Sequence, residues 1–389
     1  MEVVRLHRTA RILAGHLWVF SNELAASPKR FESGSLVELR DKKDTFLGIG
    51  YINPHSLIAV RILTREREEV NADFFRKRIL AALEYRRRFV KEENSFRVLF
   101  SEGDLLPGLI VDKYDDCLVV QVLTMGIERW SDTLIELLDD ILSPSAIVLR
   151  NDSTSRLLEG LQQEKRIIKG SLTNLPVVRE SSFSFEIDPL SGQKTGFFLD
   201  QRENRIAFSK LVKGGEGLDL FCYSGAWSLT LSHKGAHVTG IDESSSAITR
   251  AVQNAKRNNL SDRCVFRKAD VFDFLKKEVS LKNRYDFIVL DPPAFVKSGS
   301  RVKEALRAYR DINANAMRLL REGGMLATSS CSYHIGREAF REMLHSAARD
   351  AGIQARLIEI RSQARDHPIL LSVPETEYLK CAFLEVLTP

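Results

Sequence analysis

The chain has 389 residues, too many for one ordinary core, so two or three domains are expected. Hydrophobic content of 44% and charged content of 28% are those of a globular chain, and no apolar run approaches the roughly 20 residues that cross a bilayer. The net charge is +5; residues 1–95 carry 18 Lys/Arg against 13 Asp/Glu while the remainder balances at 39 against 39, so the whole positive excess sits at the N-terminal end and suggests a module facing a polyanion.

The first residues show no apolar core followed by a small-residue cleavage site, so no secretory signal is expected, and a cytoplasmic location without a membrane partner follows. Cysteines 117, 222, 264, 331 and 381 are scattered and form no C-x-x-C pair, which argues against a zinc ribbon or a thioredoxin-like site and fits a reducing compartment. His233 and His237 are four apart, but Gly235 lies between them and no Glu follows His233, so no metal is expected.

Short strands separated by turn residues fill the first 75 positions: Ser35–Arg40, Phe46–Ile52 and Leu57–Leu63, with one early helix. From Asn71, a candidate cap, Phe74, Phe75, Ile79, Leu80, Leu83 and Phe89 recur at helical spacing. The Arg86-Arg87-Arg88 run on this helix reads as a solvated face or an RNA contact. A mixed region follows, with strands at Gly108–Asp112, Leu118–Val122 and Ala146–Arg150 and a helix near 128–142. Phe183, Phe185 and Ile187 alternate with polar residues as a strand does.

After Gly215 a β-α alternation begins. Strands are expected at 217–221, 237–241, 265–267, 285–290, 325–329, 355–360 and 379–386, with helices near 226–234, 245–259, 271–279, 303–321 and 337–351. Such alternation implies a seven-stranded, mostly parallel sheet with helices on both faces, the last strand reached by a short connection. The expected domains are 1–75 (all-β), 76–189 (α+β) and 190–389 (α/β).

Ligands of such sheets sit beyond the C-terminal strand ends. The first strand leads into Asp219-Leu-Phe-Cys-Tyr-Ser-Gly225, where a single glycine stands in place of the G-x-G-x-x-G that seats a pyrophosphate, so a nucleoside without phosphates suits this turn better than NAD. Asp242 ends the second strand, where an acid accepts from a ribose diol, and Asp270 ends the third, where it accepts from an adenine amine. Each acid alone is more simply a helix cap, but three on successive strand ends point to a purine-nucleoside site. The fourth strand ends in Asp291-Pro292-Pro293-Ala294-Phe295, whose prolines fix the backbone and whose aromatic ring can stack on a flipped base. This motif resembles the base-methylating motif of class I methyltransferases.

The fifth strand runs into Cys331-Ser-Tyr-His334. A thiolate that adds to cytosine C6 makes C5 nucleophilic, and His334 or a cationic cofactor could aid its ionisation. Asp291 could then protonate or hydrogen-bond cytosine N3. Equally, Cys331 reads as a small buried strand residue. Cys222, Cys117, Cys264 and Cys381 read as structural.

Phe-Phe-Leu-Asp-Gln-Arg202, Asp-Leu-Phe-Cys-Tyr-Ser-Gly225, Asp-Pro-Pro-Ala-Phe295 and Ser-Cys-Ser332 together resemble the RlmI-type bacterial 23S rRNA cytosine-5 methyltransferases, class I enzymes. The likeness covers nearly the whole chain. His16-Leu-Trp-Val-Phe20 and Gly48-Ile-Gly-Tyr-Ile-Asn-Pro-His-Ser56 are similar to that family's N-terminal PUA domain, and Ser101–Asp112 to its central β-β-α-β-β domain. The resemblance implies a Rossmann-like catalytic domain, S-adenosyl-L-methionine as methyl donor, 23S rRNA as substrate, a cytoplasmic location and often a homodimer. It implies that Cys331 is the nucleophile, that Asp219, Asp242, Asp270 and Asp291 contact or border the cofactor together with Phe221, Gly225 and Pro292, and that Lys194, Phe197 and Arg202 shape its mouth. A guanine methyltransferase on the same scaffold and a non-catalytic RNA-binding or ribosome-assembly protein remain as alternatives; a nicotinamide reductase is opposed by the missing glycines.

Overall fold

The computed structural model describes residues 1–90, 94–192, 194–233, 235–295 and 302–387. The chain forms two compact units that are not separated by one cut. Met1–Val178, Ile187–Leu199 and Arg365–Thr376 make the first, and Arg179–Glu186, Asp200–Ala364 and Glu377–Pro389 make the second.

The first unit begins with β1 (Glu2–Arg5), α1 (Ala10–Leu13), β2 (Trp18–Phe20), β3 (Leu36–Arg40), β4 (Phe46–Ile52) and β5 (Ile58–Thr64), which form a sheet of order β1-β3-β4-β5-β2. The period-two pattern of β3 sends Val37 and Leu39 into its core. Helix α2 (Ala72–Phe89) starts where Asn71 Oδ1 accepts from the Phe74 amide at 3.1 Å, an N-cap that satisfies one orphan donor. Its buried face, Phe74, Phe75, Ile79 and Leu83, lies in one hydrophobic cluster with Tyr51, Leu63, Val98 and Leu118. Truncating such a residue to Ala costs about 2–5 kcal/mol.

A second sheet follows from β6 (Ser95–Phe100), β7 (Leu109–Tyr114), β8 (Cys117–Val122), α3 (Met125–Glu128), α4 (Ser131–Leu142), β9 (Ala146–Asn151), α5 (Ser155–Leu158) and β10 (Glu164–Lys169), with order β10-β9-β8-β7-β6. The expected β-β-α-β-β order lacks β6. Arg97 interrupts that strand's apolar run, and it is tolerated inside because Asp112 receives its guanidinium through two bonds of 2.8 Å. The Arg86 of the arginine run is no solvated face either. It is buried, pairs with Asp104, and donates to the carbonyls of Arg97 (2.8 Å) and Asp366 (2.7 Å). Arg87 pairs with Glu84 one turn earlier, and Arg88 lies over the Phe89 ring. The Asn53 of the N-terminal motif also turns inward, donating to Glu159 Oε2 at 2.8 Å, while Arg61 donates to Oε1 of the same carboxylate at 2.8 Å.

A two-stranded ribbon, β11 (Val177–Glu180) with β12 (Phe183–Glu186), precedes α6 (Arg202–Ser209). The second unit then alternates: β13 (Glu216–Leu220), α7 (Ala226–Ser232), β14 (His237–Asp242), α8 (Ser245–Arg257), β15 (Cys264–Lys268), α9 (Val271–Ser280), β16 (Tyr285–Leu290), α10 (Val302–Leu319), β17 (Leu320–Ser330), α11 (Arg337–Ala351), β18 (Gln354–Arg361) and β19 (Lys380–Leu387). Its sheet has the order β15-β14-β13-β16-β17-β19-β18, and β19 alone runs against the rest. Both faces are buried, as a parallel sheet requires. Ile288 and Leu290 of β16 pack with Tyr309, Met317 and Phe340 on one side. Phe287 and Val289 pack with Phe208, Trp227 and Phe383 on the other. The connection to the last strand is not short: it spans 362–379, and Arg365–Thr376 within it belongs to the first unit. Among the described residues no helix is long and apolar enough to cross a membrane.

Candidate active site

Strand order reverses between β13 and β16, and in open α/β sheets ligands bind beyond the C-terminal strand ends at such a switch point. Asp219 lies inside β13, fully buried. Its Oδ2 accepts from the Ser228 amide at 3.0 Å and the Ser228 hydroxyl at 2.6 Å, whereas Oδ1 has no hydrogen-bond partner among the described residues. Burial foremost pushes its carboxyl up to about 7; the Ser228 bonds oppose this, and the charges of Asp291 and Asp242 add to it. Asp242, the last residue of β14, takes the Tyr223 amide at 3.0 Å and the Ser244 amide at 2.9 Å.

The turn after β13 is sharp. Phe221, Tyr223 and Gly225 all have positive φ, at 66°, 46° and 83°. The amides of Phe221 and Cys222 both donate to the Ile241 carbonyl, at 2.9 and 3.0 Å, which ties this turn to β14. At Gly225, the N-cap of α7, a Cβ would meet the Phe266 ring at 2.9 Å, so only glycine fits both the conformation and the space.

Asp291 follows β16 and is held from two sides. Gln201 Nε2 donates to Oδ1 at 2.9 Å and also to Ser329 Oγ at 3.0 Å, while Trp227 Nε1 donates to Oδ2 at 3.1 Å. Pro292 is buried behind it. Phe295 does not stand ready as a base platform. It packs in an aromatic cluster with Tyr309 (4.6 Å between centroids), Phe272 and Phe221.

Cys331 directly follows β17 and is half-buried, whereas the other four cysteines are buried. Burial pushes the Cys117 and Cys381 thiols up to about 12 and Cys264 to about 11, and raises Cys222 as well. Burial foremost pushes the Tyr309 hydroxyl up to about 12, and charge on Cys331 and on Asp291 adds to this. His334 is exposed, with its ring edge-on to Tyr333 at 5.5 Å. A cation whose charge couples to the thiol is Lys380, at the start of β19.

Four expected residues have local partners. Asp270 is exposed and caps α9, its Oδ1 accepting the Asp273 amide at 3.0 Å. In the first unit, Lys194 is exposed and lies over the Phe198 ring, and Phe197 is buried with its carbonyl accepting from Tyr114 Oη at 3.2 Å. In the second, Arg202 is buried 4.0 Å from the Glu180 carboxylate, which takes its shorter bonds from Arg205. His233 packs edge-on against Phe183 and His237 pairs with Glu216; among the described residues no three potential ligands converge as a metal site would need. Gln201, Trp227, Tyr309 and Lys380 are the site residues the sequence reading lacks. Gln201 lies inside the motif ending at Arg202, and Lys380 is a lone cation opening an apolar strand, a pattern that signals a buried charge with a purpose.

The fold and site define a methyltransferase with a PUA-like N-terminal domain: a PUA-like domain model matches residues 3–65 and a methyltransferase domain model matches 211–370. The chain is 38% identical to the ribosomal RNA large subunit methyltransferase I of Shewanella denitrificans over 94% of each protein, and 34% identical to that of Pseudoalteromonas atlantica over 99% of each. It belongs to the ribosomal RNA large subunit methyltransferase I family. Among solved structures, a chain from Streptococcus mutans assigned as a SAM-dependent methyltransferase aligns with TM-score 0.85 at 19% identity, covering 99% of this chain and 100% of that one. Another, assigned as a methyltransferase and complexed with SAH, aligns equally well.

Proposed function

We propose that the protein transfers a methyl group from S-adenosyl-L-methionine to C5 of a cytosine in 23S rRNA, through a covalent adduct of Cys331 at C6. The observation that carries this reading is that Gln201 Nε2 bridges Asp291 Oδ1 and Ser329 Oγ, which ties the Asp291 carboxylate to the end of β17, the strand that the half-buried Cys331 directly follows. In this reading residues 1–75 form a PUA-like RNA-binding domain, 76–189 a central domain and 190–389 the catalytic domain.

The residues of the β13 turn fit the donor. Asp219 Oδ1 and Ser224 Oγ are buried polar atoms without a hydrogen-bond partner among the described residues, and Asp242 keeps lone pairs for a ribose diol beyond the two amides it accepts. The charges of Asp291 and Asp242 also disfavour ionisation of Asp219, which a cationic ligand relieves. When bound, the donor supplies an electrophilic methyl on a positively charged sulfur. Cys331 Sγ, as thiolate, adds to cytosine C6, and the electron pair released into the ring makes C5 nucleophilic. Asp291, oriented by Gln201 and Trp227, stabilises the proton that N3 carries in this adduct. After C5 has been alkylated, a base takes the C5 proton and the Sγ–C6 bond breaks, returning the thiolate.

The test is Cys331→Ala with labelled donor and rRNA. Methyl transfer is expected to vanish while calorimetric binding of S-adenosyl-L-methionine persists. Full activity of the variant, or methylguanosine in the nucleoside mass analysis, overturns the cytosine chemistry.

A further inference from the structure

A buried ammonium needs a counter-charge, because desolvation without one is costly. Lys380 is 3% exposed. Antiparallel pairing of β19 with β17 sets it opposite Ser330, one residue before Cys331. Its Nζ donates to the Ser332 carbonyl at 2.6 Å and the Tyr378 carbonyl at 2.9 Å, so the ammonium is pinned beside the turn that carries the thiol. No carboxylate hydrogen-bonds or ion-pairs with it among the described residues. The nearest acid in charge, Glu377, is engaged by Arg337 through bonds of 2.8 and 2.6 Å, and Arg337 repels Lys380 in turn.

We propose that the Lys380 ammonium is the positioning residue that holds Cys331 as a thiolate, and that this thiolate is its counter-ion. The inference rests on the reading of Cys331 as nucleophile. The thiol proton passes to solvent, and Lys380 keeps its own three. Charge coupling is consistent with this pairing: burial brings Lys380 down to about 8, and Cys331 is first among the groups that push it back up. Tyr309, which stays neutral with its hydroxyl pushed up to about 12 by burial foremost, also feels the charges of Cys331 and Asp291. Lys380 therefore supplies what the exposed His334 does not.

The experiment is the pH profile of iodoacetamide alkylation at Cys331, mapped by peptide mass, in the full-length protein. The other four cysteines are buried, so Cys331 dominates the reaction. The wild-type midpoint is expected below the ordinary thiol value of about 8.5. In Lys380→Met it should rise by about one pH unit or more, slowing alkylation near neutral pH about tenfold, while Lys380→Arg retains most of the wild-type rate. In methyl transfer, kcat should fall in Lys380→Met with KM for RNA nearly unchanged. A wild-type midpoint at or above the ordinary value overturns the inference whether or not a variant folds, and so does a Lys380→Met profile that matches wild type. Neither result touches the role of Cys331, which stands or falls on Cys331→Ala.

Discussion

Asp219 offers a measurable link between burial and pH. Its carboxyl is displaced from the ordinary 3.8 to about 7, foremost by desolvation. Between those values the folded chain holds a proton that the unfolded chain has lost. Stability from this group is therefore full below about pH 3.8, declines as pH rises, and levels off above about 7. At about 1.4 kcal/mol per pH unit the decline reaches at most about 4 kcal/mol. Asp219→Asn removes it. The Asn carbonyl can accept from Ser228 as Oδ2 does, and its amide exchanges one unpartnered atom for another at the Oδ1 position. Urea unfolding followed by the fluorescence of Trp227, which packs in the same unit, is the assay. Between about pH 5 and about pH 8 wild type should lose on the order of 2–4 kcal/mol more than the variant, and the variant should be the more stable protein at the alkaline end. Parallel pH dependences would refute the reasoning, because they would mean that Asp219 is already ionised near its ordinary value.

Two further substitutions probe the scaffold. Gly225→Ala puts a Cβ 2.9 Å from Phe266 at a φ of 83°; it should cost about 1–3 kcal/mol of stability, read by thermal melting, and weaken donor binding in calorimetry more than the Ser246→Ala control in the next helix. Arg86→Met leaves the Asp104 carboxylate buried without its cation and should cost about 3–5 kcal/mol, whereas Arg87→Ala, on the same run but exposed, should stay within about 0.5 kcal/mol. Equal losses at positions 86 and 87, by chemical denaturation, would show that the buried pair does not set the difference.

The α/β alternation was legible because strands such as β16 and β19 are largely apolar runs and because Gly225 marks the turn into α7; in the first unit Asn71 marks the start of α2 in the same way. The acids were legible too, though not their division of labour. Asp219 is buried and Asp291 half-buried and held by Gln201 and Trp227, whereas Asp270 is an exposed cap, and a sequence shows all three as an acid near a strand end. What stayed hidden depends on pairing across long separations. Arg97 reads as a strand breaker until Asp112 is placed against it, and Arg86 reads as a solvated charge until Asp104 and Asp366 enclose it. Lys380 gains its neighbours only through the β17–β19 register, 50 residues after Ser330, which no local pattern reveals.

The segment Arg365–Thr376 has a consequence for how this chain is made. Asp366 supplies a carbonyl to Arg86 and a carboxylate oxygen to the Arg97 amide at 3.0 Å, and His16 meets Glu375 at 3.1 Å, all within the first unit. A ribosome that has finished the N-terminal half has not yet produced these partners. The first unit must wait, incompletely locked, until almost the whole polypeptide has emerged, so no truncation that stops before this segment can yield it in finished form.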